Sequence, residues 1–482
     1  MSDERDNIWD RALKQLSTTW QDVADAAMVR IGGRIRVDLP DDDLDKLRNQ
    51  VAECVTGLGG EVLARGRAAS IGGSYLSLAP TGKRRFLAML ASDFEIDIAE
   101  VETEAQAMIQ VQDPEAKRAL AGSLRDALEP PRMRLFTQFN GLQDGVKFLV
   151  DMRADAMSWS REEPVLVRIS NDLRRLLTGW FDIGFLELTR ITWSSPASLL
   201  EKLIVYEAVH RIASWQDLKN RLGSDRRLFA FFHPRMPDEP LIFVEVALVN
   251  GMASQVQTLL DAETPELAPD RTDTAIFYSI SNTQRGLAGI SLGDFLIKQV
   301  VELLSAELGN LKTFATLSPI PGFRRWLSGR MATSDDKLIR ADEGLSGVDE
   351  GLIRPDELKK LGYETHQAAL DDLAVALDAG PGDALDRFAE VLLRLTARYL
   401  VMEKRNDRPL DPVARFHLAN GARVERLNWA GDTSQKGYEQ SAGIMVNYLY
   451  RLEDIRTNHE AFVGSGTVAI SSALRQLVKR SV

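Results

Sequence analysis

Histidine is the side chain best suited to proton transfer near neutral pH, and the chain contains five. Of these, His417 has the most informative surroundings. The pair Asp411-Pro412 is typical of a helix N-cap and first turn, and Asn420-Gly421 is typical of a helix end. His417 is therefore predicted near the C-terminus of a short helix, whose dipole favours the protonated imidazole. Such an imidazole could act as a proton donor, and a structural histidine is the alternative.

A glycine-rich segment at residues 281–293 is the second candidate site. It follows a predicted strand at 274–280 and leads into a predicted helix. Backbone N–H groups in such a loop converge on anions, and Gly286, Gly289 and Gly293 would let a phosphate approach closely. The spacing matches neither the dinucleotide fingerprint nor the P-loop. It is closer to the pyrophosphate loop of acetyltransferase-type (GNAT) folds, which bind coenzyme A, and a turn without a ligand is the alternative.

The same segment contains a possible serine nucleophile. The run Gly289-Ile-Ser291-Leu-Gly293 matches the G-x-S-x-G elbow of serine hydrolases. An elbow requires the serine directly after a strand, whereas residues 281–288 separate this serine from the predicted strand. We therefore disfavour the hydrolase interpretation. None of the five histidines has the spacing of a metal motif, so we expect no metal site.

Polar side chains also occur in the mostly apolar segment 440–450, which we predict to be a helix. Ser441, Asn447, Tyr448 and Tyr450 would supply hydrogen-bond donors on it. Such groups either line a site or cap neighbouring elements, and the sequence leaves both possibilities open.

The elements that must position these residues change in type along the chain. The first 180 or so residues contain amphipathic helical patterns, which favour packing as a helical bundle. From Phe181 onward, strand-like segments alternate with helices, including a predicted strand at 313–317. This alternation predicts an α/β domain with some parallel pairing. The predicted domains are therefore a helical domain at 1–180 and an α/β domain at 181–482, and the family resemblance given below implies a structural or oligomerisation role for the first and a catalytic role for the second.

The composition argues against several classes of function. The net charge is −11, and an acidic chain is a poor general binder of nucleic acid. No apolar stretch approaches the roughly 18 residues of a membrane span. The single cysteine, Cys54, excludes an internal disulfide and fits a reducing compartment. We expect a cytoplasmic protein that has neither nucleic acid nor a membrane as its partner.

Several blocks between about residues 181 and 450 resemble malonyl-CoA decarboxylase, and they occur in the order of that family. They are Tyr206-Glu-Ala-Val-His210, Phe277-Tyr-Ser-Ile-Ser, Gln284-Arg-Gly-Leu-Ala-Gly-Ile-Ser-Leu-Gly, Phe295-Leu-Ile-Lys, Leu317-Ser-Pro-Ile-Pro-Gly-Phe323 and Phe416-His-Leu-Ala-Asn-Gly-Ala422. In the first half, Phe148-Leu-Val-Asp-Met-Arg-Ala-Asp155 is also similar. The blocks that contain Ser318 and His417 are the most specific.

The resemblance implies a multidomain α and α/β protein, in which an N-terminal helical bundle precedes a GNAT-like (acetyltransferase-type) α/β catalytic domain. It also implies conversion of malonyl-CoA to acetyl-CoA and CO2 in a homo-oligomer (dimer or tetramer), without a cofactor. The family's catalytic serine corresponds to Ser318 and its catalytic histidine to His417. Its substrate-binding loop corresponds to Ala288, Gly289, Ile290, Ser291, Leu292, Gly293 and Asp294. Some relatives carry an acid at the position of Ser291, so a catalytic carboxylate in this loop is not transferred.

The residues that the resemblance implies suit this reaction. Loss of CO2 leaves an enolate on the thioester oxygen, where each fixed N–H donor is worth about 3–4 kcal/mol in the transition state. His417 would protonate the enolate carbon, and Ser318 would hydrogen-bond the malonyl carboxylate and orient its C–C bond. Asn447 and Tyr450 are further candidates for substrate contacts. The alternative functions are an acyl-CoA acetyltransferase and a non-catalytic CoA-binding regulatory protein.

Overall fold

The computed structural model describes residues 16–27, 35–57, 60–290, 296–334 and 352–479. The chain divides into two compact units. The helical unit comprises Met1–Glu187, Phe232–Leu241 and Gln284–Ser291, and the sheet unit comprises Leu188–Phe231, Ile242–Thr283 and Leu292–Val482. The domain boundary between residues 180 and 181 stays a prediction, because compactness alone does not define a domain.

The helical unit is built from amphipathic helices around an aromatic core. The helices are α1 (Asp41–Val55), α2 (Glu61–Ser77), α3 (Pro80–Asp93), α4 (Ile98–Gln110), α5 (Pro114–Ala127), α6 (Arg132–Asn140), α7 (Gly145–Trp159) and α8 (Leu166–Trp180). Phe148 of α7 is buried, and its ring meets Trp20 and Phe139 edge-on at centroid distances of 4.7 and 4.9 Å. Trp20 and Phe139 belong to two other segments of the unit, and both of their rings pack against Phe148. Helix α7 therefore lies at the centre of this aromatic core.

A seven-stranded mixed sheet organises the sheet unit. Its strands are β1 (Glu187–Ile191), β2 (Arg226–Phe232), β3 (Ile242–Val249), β4 (Thr274–Asn282), β5 (Thr313–Thr316), β8 (Arg423–Asn428) and β9 (Met445–Tyr450), and their order is β1-β2-β3-β4-β5-β9-β8. The pair β4/β5 is parallel, whereas β2/β3, β3/β4, β5/β9 and β8/β9 are antiparallel. The strands predicted at 274–280 and 313–317 are thus confirmed.

Helices and a short hairpin complete the sheet unit. The helices are α9 (Ala197–Tyr206), α10 (Trp215–Arg221), α11 (Gln257–Leu260), α12 (Leu296–Glu307), α13 (Phe323–Ser334), α14 (Pro355–Leu361), α15 (His366–Ala379), α16 (Asp383–Asp386), α17 (Ala389–Val401), α18 (Pro412–Ala419), α19 (Gln435–Ser441), α20 (Leu452–Ser465) and α21 (Ser472–Lys479). The hairpin pairs β6 (Lys404–Arg405) with β7 (Arg408–Pro409), and a 3-10 turn occurs at Pro269–Arg271. Two further 3-10 turns, Ile183–Phe185 and Arg285–Leu287, belong to the helical unit. The predicted fold class, a helical region followed by an α/β domain, is confirmed.

The helix predicted at 440–450 is wrong. Helix α19 ends at Ser441, and the next two residues, Ala442 and Gly443, have φ values of 54° and 76°. Strand β9 then begins at Met445. All six residues of β9 are buried, so the strand lacks the polar–apolar alternation by which a half-exposed strand is recognised in a sequence.

Candidate active site

Ser318 lies where the chain leaves strand β5. The parallel pairing of β4 and β5 ends with Phe277 opposite Thr316, and the N–H of Leu317 still donates to the Phe277 carbonyl at 3.0 Å. One residue later, Ser318 exchanges two backbone hydrogen bonds with Val446 of β9, at 2.8 and 3.0 Å. This contact continues the antiparallel pairing with β9 in the register of Phe314 with Tyr450, whereas the pairing with β4 ends before Ser318.

His417 is held by the short helix that the sequence predicts. Helix α18 begins at Pro412, and the carboxylate of Asp411 caps it by accepting hydrogen bonds from the N–H groups of Val413 and Ala414, each at 2.9 Å. This cap confirms the predicted start of the helix. His417 lies in its last turn and is 2 % exposed.

The structure brings Ser318 and His417 together. Ser318 Oγ lies 3.1 Å from His417 Nε2, although the two residues are 99 positions apart in the sequence. His417 Nδ1 lies 2.8 Å from the hydroxyl of Tyr450, which is also buried. The two ring nitrogens are therefore each engaged by a hydroxyl group, and we call Ser318 and His417 the Ser318–His417 pair.

The hydrogen bonds favour one tautomer of His417. The Ser318 hydroxyl donates to Thr316 Oγ1 at 2.9 Å, which leaves Ser318 Oγ able to accept from a His417 Nε2–H. His417 Nδ1 is then the acceptor for the hydroxyl of Tyr450. A serine nucleophile needs the opposite arrangement, in which the imidazole accepts the serine proton. The resting pair is therefore arranged as a donor of protons.

The imidazole of His417 is neutral near pH 7, because burial lowers its pKa from 6.5 to about 3. This displacement corresponds to about 5 kcal/mol against the charged form. A helix dipole favours a cation by at most about 2 kcal/mol. The expectation that the dipole keeps His417 protonated is therefore wrong. The partner of Nδ1 is the neutral hydroxyl of Tyr450, where a carboxylate would have stabilised an imidazolium ion.

A cavity of about 250 Å³ opens beside the pair, within the sheet unit. It is lined by Val209, Phe277, Tyr278, Ile280, Asn282, Ser318, Pro319, Pro412, Val413, Phe416 and His417. None of these lining residues carries a charge at neutral pH. A negatively charged group that enters this cavity therefore meets apolar surface and neutral hydrogen-bonding groups, and it loses much of its hydration.

Two predicted substrate contacts have different positions on strand β9. Tyr450 points to the pair and bonds His417. Asn447 lies on the other face, since strand residues alternate in direction. Its amide donates to the carbonyls of Thr316 and Ala253 at 2.7 and 3.1 Å and accepts from Arg426 and Asn428. The structure does not bring Asn447 to the pair. Its hydrogen bonds instead connect the main chain at Thr316 with the main chain at Ala253.

The predicted substrate-binding loop is described only in part. Ala288, Gly289 and Ile290 follow the 3-10 turn Arg285–Leu287 and belong to the helical unit. The remaining predicted positions, Ser291, Leu292, Gly293 and Asp294, lie outside the described residues, so the serine-elbow alternative is not addressed by the structure. Gly289 has φ +77°, a conformation that favours glycine.

Two further residues contact the pair: Tyr448, which the sequence suggested only as a possible hydrogen-bond donor, and Thr316, which sequence reasoning missed. The ring of Tyr448 stacks on the imidazole of His417 at a centroid distance of 4.4 Å. Thr316 Oγ1 accepts both the Ser318 hydroxyl and the backbone N–H of Tyr448. The signal was the two-residue spacing within each strand, which places Thr316 beside Ser318 and Tyr448 beside Tyr450 on one face. It could be recognised only once β9 is known to be a strand.

A mixed-sheet α/β domain with a buried, uncharged serine–histidine pair beside a cavity has an arrangement that could perform acid–base chemistry. Among the described residues, no helix has the length and hydrophobicity to cross a membrane, and no three His, Cys, Asp or Glu side chains form a metal-binding group. The comparisons with known proteins identify the family. The model of the malonyl-CoA decarboxylase C-terminal domain matches residues 184–482, and that of the N-terminal domain matches residues 94–181.

Similar proteins agree with the family models. The mitochondrial malonyl-CoA decarboxylase of Rattus norvegicus is 36 % identical over 432 residues, which are 86 % of this chain and 86 % of that protein. The crystal structure of malonyl-CoA decarboxylase from Rhodopseudomonas palustris is 42 % identical, with a TM-score of 0.77 and coverage of 90 % of this chain and 99 % of that one. The Agrobacterium vitis enzyme is 41 % identical, with a TM-score of 0.75 and coverage of 89 % and 99 %. The chain belongs to the malonyl-CoA decarboxylase family, as its sequence predicts.

Proposed function

We propose that this protein converts malonyl-CoA to acetyl-CoA and CO2, and that the Ser318–His417 pair performs the chemistry. Family membership supports the reaction, which makes the protein a carboxy-lyase. The 3.1 Å contact between Ser318 and His417, beside an uncharged cavity, is the observation that most supports the assignment of these residues.

The bond that breaks joins the carboxylate carbon to the α-carbon of the malonyl group. Its electron pair moves into the thioester as an enolate while CO2 departs, and the α-carbon then takes one proton to give acetyl-CoA. The cavity favours the first step because its lining residues offer the carboxylate no cationic partner. Charge leaves that carboxylate as the bond breaks, so the transition state suffers less from the loss of water than the substrate does.

Ser318 is proposed to orient the carboxylate. Its hydroxyl donates to Thr316 in the absence of substrate and can rotate about the Cβ–Oγ bond to donate to a malonyl oxygen. That contact would hold the breaking C–C bond out of the thioester plane, where its electrons overlap the carbonyl. The role is one of positioning, since the bond cleavage itself removes no proton.

His417 is proposed to donate the proton that completes the reaction. Its neutral Nε2–H is the donor, and a thioester enolate is basic enough to take a proton from a neutral imidazole. The negative charge that develops on the ring would be stabilised at Nδ1 by the hydroxyl of Tyr450, which lies 2.8 Å away. Neutral imidazole has precedent as an electrophile beside an enolate.

The test is turnover of malonyl-CoA by the purified full chain, followed as CO2 release and acetyl-CoA formation. His417→Asn should lower kcat at least about 100-fold, the usual scale of a general acid, and Ser318→Ala should also lower it. The control is His366→Asn, because His366 is exposed at the start of α15. Intact malonyl-CoA in the presence of wild-type protein would reject the activity, and acetyl transfer to an added amine would favour an acetyltransferase. Near-normal kcat in His417→Asn would reject its role.

Three further assignments remain proposals. We infer that the loop containing Ala288, Gly289 and Ile290 binds the CoA part of the substrate, because it resembles the family's binding loop. A homo-oligomer is proposed on the same resemblance, and light scattering coupled to gel filtration would measure its size. A cytoplasmic location is supported by the single cysteine, which fits a reducing compartment, and fractionation of the source cells would test it.

A further inference from the structure

A buried arginine of the helical unit, Arg153, forms hydrogen bonds to the start of the proposed CoA-binding loop. Arg153 lies on α7 and is 3 % exposed. Its Nη1 donates to the carbonyl of Gly286 at 2.5 Å, and its Nη2 donates to the carbonyl of Ala288 at 2.8 Å. Its Nε donates to the carbonyl of Ser170 on α8 at 3.1 Å. One guanidinium therefore joins two helices to a loop about 135 positions further along the chain.

The charge of Arg153 has no carboxylate partner among the described residues, whose ion pairs do not include it. Burial and the nearby Arg174 accordingly lower its pKa. Burying an unpaired cation is costly, and an apolar side chain of similar size would pack α7 against α8 at less cost. What an apolar side chain could not supply is the pair of hydrogen bonds to the Gly286 and Ala288 carbonyls.

The loop also approaches the backbone of α7 more closely than a side chain would permit. A Cβ on Gly286 would lie 1.8 Å from the carbonyl oxygen of Val150. Glycine at this position therefore lets the 3-10 turn Arg285–Leu287 contact the helix directly. The Arg153 hydrogen bonds and the close contact of Gly286 with Val150 therefore both attach this turn to α7.

The hydrogen bonds of Arg153 to the two loop carbonyls determine the direction of the next backbone N–H group, that of Gly289. In a trans peptide, the carbonyl of Ala288 and the N–H of Gly289 lie on opposite sides, so Gly289 N–H faces away from the guanidinium that binds Ala288. The neighbouring N–H groups of Leu287, Ala288 and Ile290 donate to the carbonyls of Gln284, Arg285 and Leu287. The N–H of Gly289 forms no hydrogen bond to any described residue, and Gly289 is exposed.

We infer that Arg153 is a positioning residue for CoA binding: by holding the Gly286 and Ala288 carbonyls, it presents the N–H of Gly289 to an acceptor oxygen of the CoA moiety. The inference rests on the proposed function, in which this loop binds CoA. It gives the helical unit a part in substrate affinity, since the side chain that sets the loop comes from α7.

The test compares Arg153→Lys and Gly286→Ala with a matched control, Arg132→Lys. Arg132 is 1 % exposed in the same unit, and its guanidinium bonds the Phe94 carbonyl, Glu95 and Asp172, none of which belongs to the loop. Arg153→Lys keeps the charge but cannot hold both loop carbonyls, and Gly286→Ala pushes the loop from α7.

Both loop variants should raise KM for malonyl-CoA about tenfold, the effect of one lost charge-assisted hydrogen bond, while kcat changes less than about threefold. Both should also speed amide hydrogen exchange at residues 284–290. Arg132→Lys should lower the melting temperature and leave KM and loop exchange unchanged. Unchanged KM and exchange in the folded loop variants, or an equal change in Arg132→Lys, would overturn the inference. If wild-type protein did not decarboxylate malonyl-CoA, the proposed function would fail, and exchange together with calorimetric CoA binding would still decide the role of Arg153.

Discussion

The pH profile of turnover distinguishes a neutral His417 from a charged one. The helix position alone suggests a protonated imidazole, which would be lost as the pH rises through its pKa. Burial instead lowers the pKa to about 3, so the ring is already neutral at pH 6 and stays neutral at higher pH. We therefore expect kcat/KM for malonyl-CoA to be flat across the neutral range.

The two possibilities differ by a large factor. If His417 titrated at 6.5 and acted as a cation, its active fraction would fall from about 0.8 at pH 6 to about 0.03 at pH 8, and kcat/KM would fall about 25-fold. With a pKa of about 3, the neutral fraction exceeds about 0.99 at both pH values. Protonation of the ring itself should lower activity only as the pH drops toward 3, because it removes the acceptor for Tyr450. A loss near pH 6 would instead report Asp411, which caps α18 and whose pKa burial raises to about 6.

The assay is the initial rate of acetyl-CoA formation at subsaturating malonyl-CoA, between pH 5.5 and 8.5 at constant ionic strength. Samples are returned to pH 7 after each exposure to confirm that the enzyme has not been inactivated. A limb that falls with rising pH, has a midpoint near 6.5 and persists in His366→Asn would refute the neutral-imidazole reasoning.

Two substitutions on strand β9 test the remaining contacts. Tyr450→Phe removes the hydroxyl at His417 Nδ1 and should lower kcat about tenfold or more, the value of a hydrogen bond to a group that becomes charged. Tyr448→Phe is the matched control, because the Tyr448 ring stacks on the same imidazole but its hydroxyl bonds no described residue. Equal losses of kcat in the two variants would contradict the role assigned to the Tyr450 hydroxyl. Asn447→Ala should lower the melting temperature, because it removes the side-chain donor to the carbonyl of the buried Thr316, while KM of the folded enzyme stays within about twofold. A tenfold rise in KM without loss of stability would return Asn447 to the substrate site.

The elements with local signals could be predicted from the sequence. Helix α18 has a capping aspartate followed by proline at one end and Asn420-Gly421 at the other, so its bounds follow from neighbouring residues. Strand β9 has no such signal, because both of its faces are buried and its period of two is hidden. The change of element type near Phe181 was readable because strands and helices differ in hydrophobic period.

The chemistry of the site depends on contacts between distant residues, which local patterns do not encode. The contact of Ser318 with His417 was expected only from the family resemblance, and the pKa of His417 depends on burial by Tyr448 and other packing neighbours. Nothing local to Arg153 indicates that it binds carbonyls at Gly286 and Ala288. Sequence reasoning thus located the chemical groups but assigned the wrong charge to one of them.

The end of the β4 pairing before Ser318 also bears on how freely the acyl pocket can change in evolution. The residues that follow, Pro319 and Pro321, have no N–H, so this segment cannot rejoin β4 by regular strand pairing. The separation of the two strands is thus maintained by main-chain bonding to Val446 and by imino acids, and it does not require a bulky wedge or an occupant. Replacement of apolar wall residues such as Val413 would reshape the pocket without abolishing it. The scaffold can therefore accommodate acyl groups of different bulk through single substitutions while its acid–base pair stays in place.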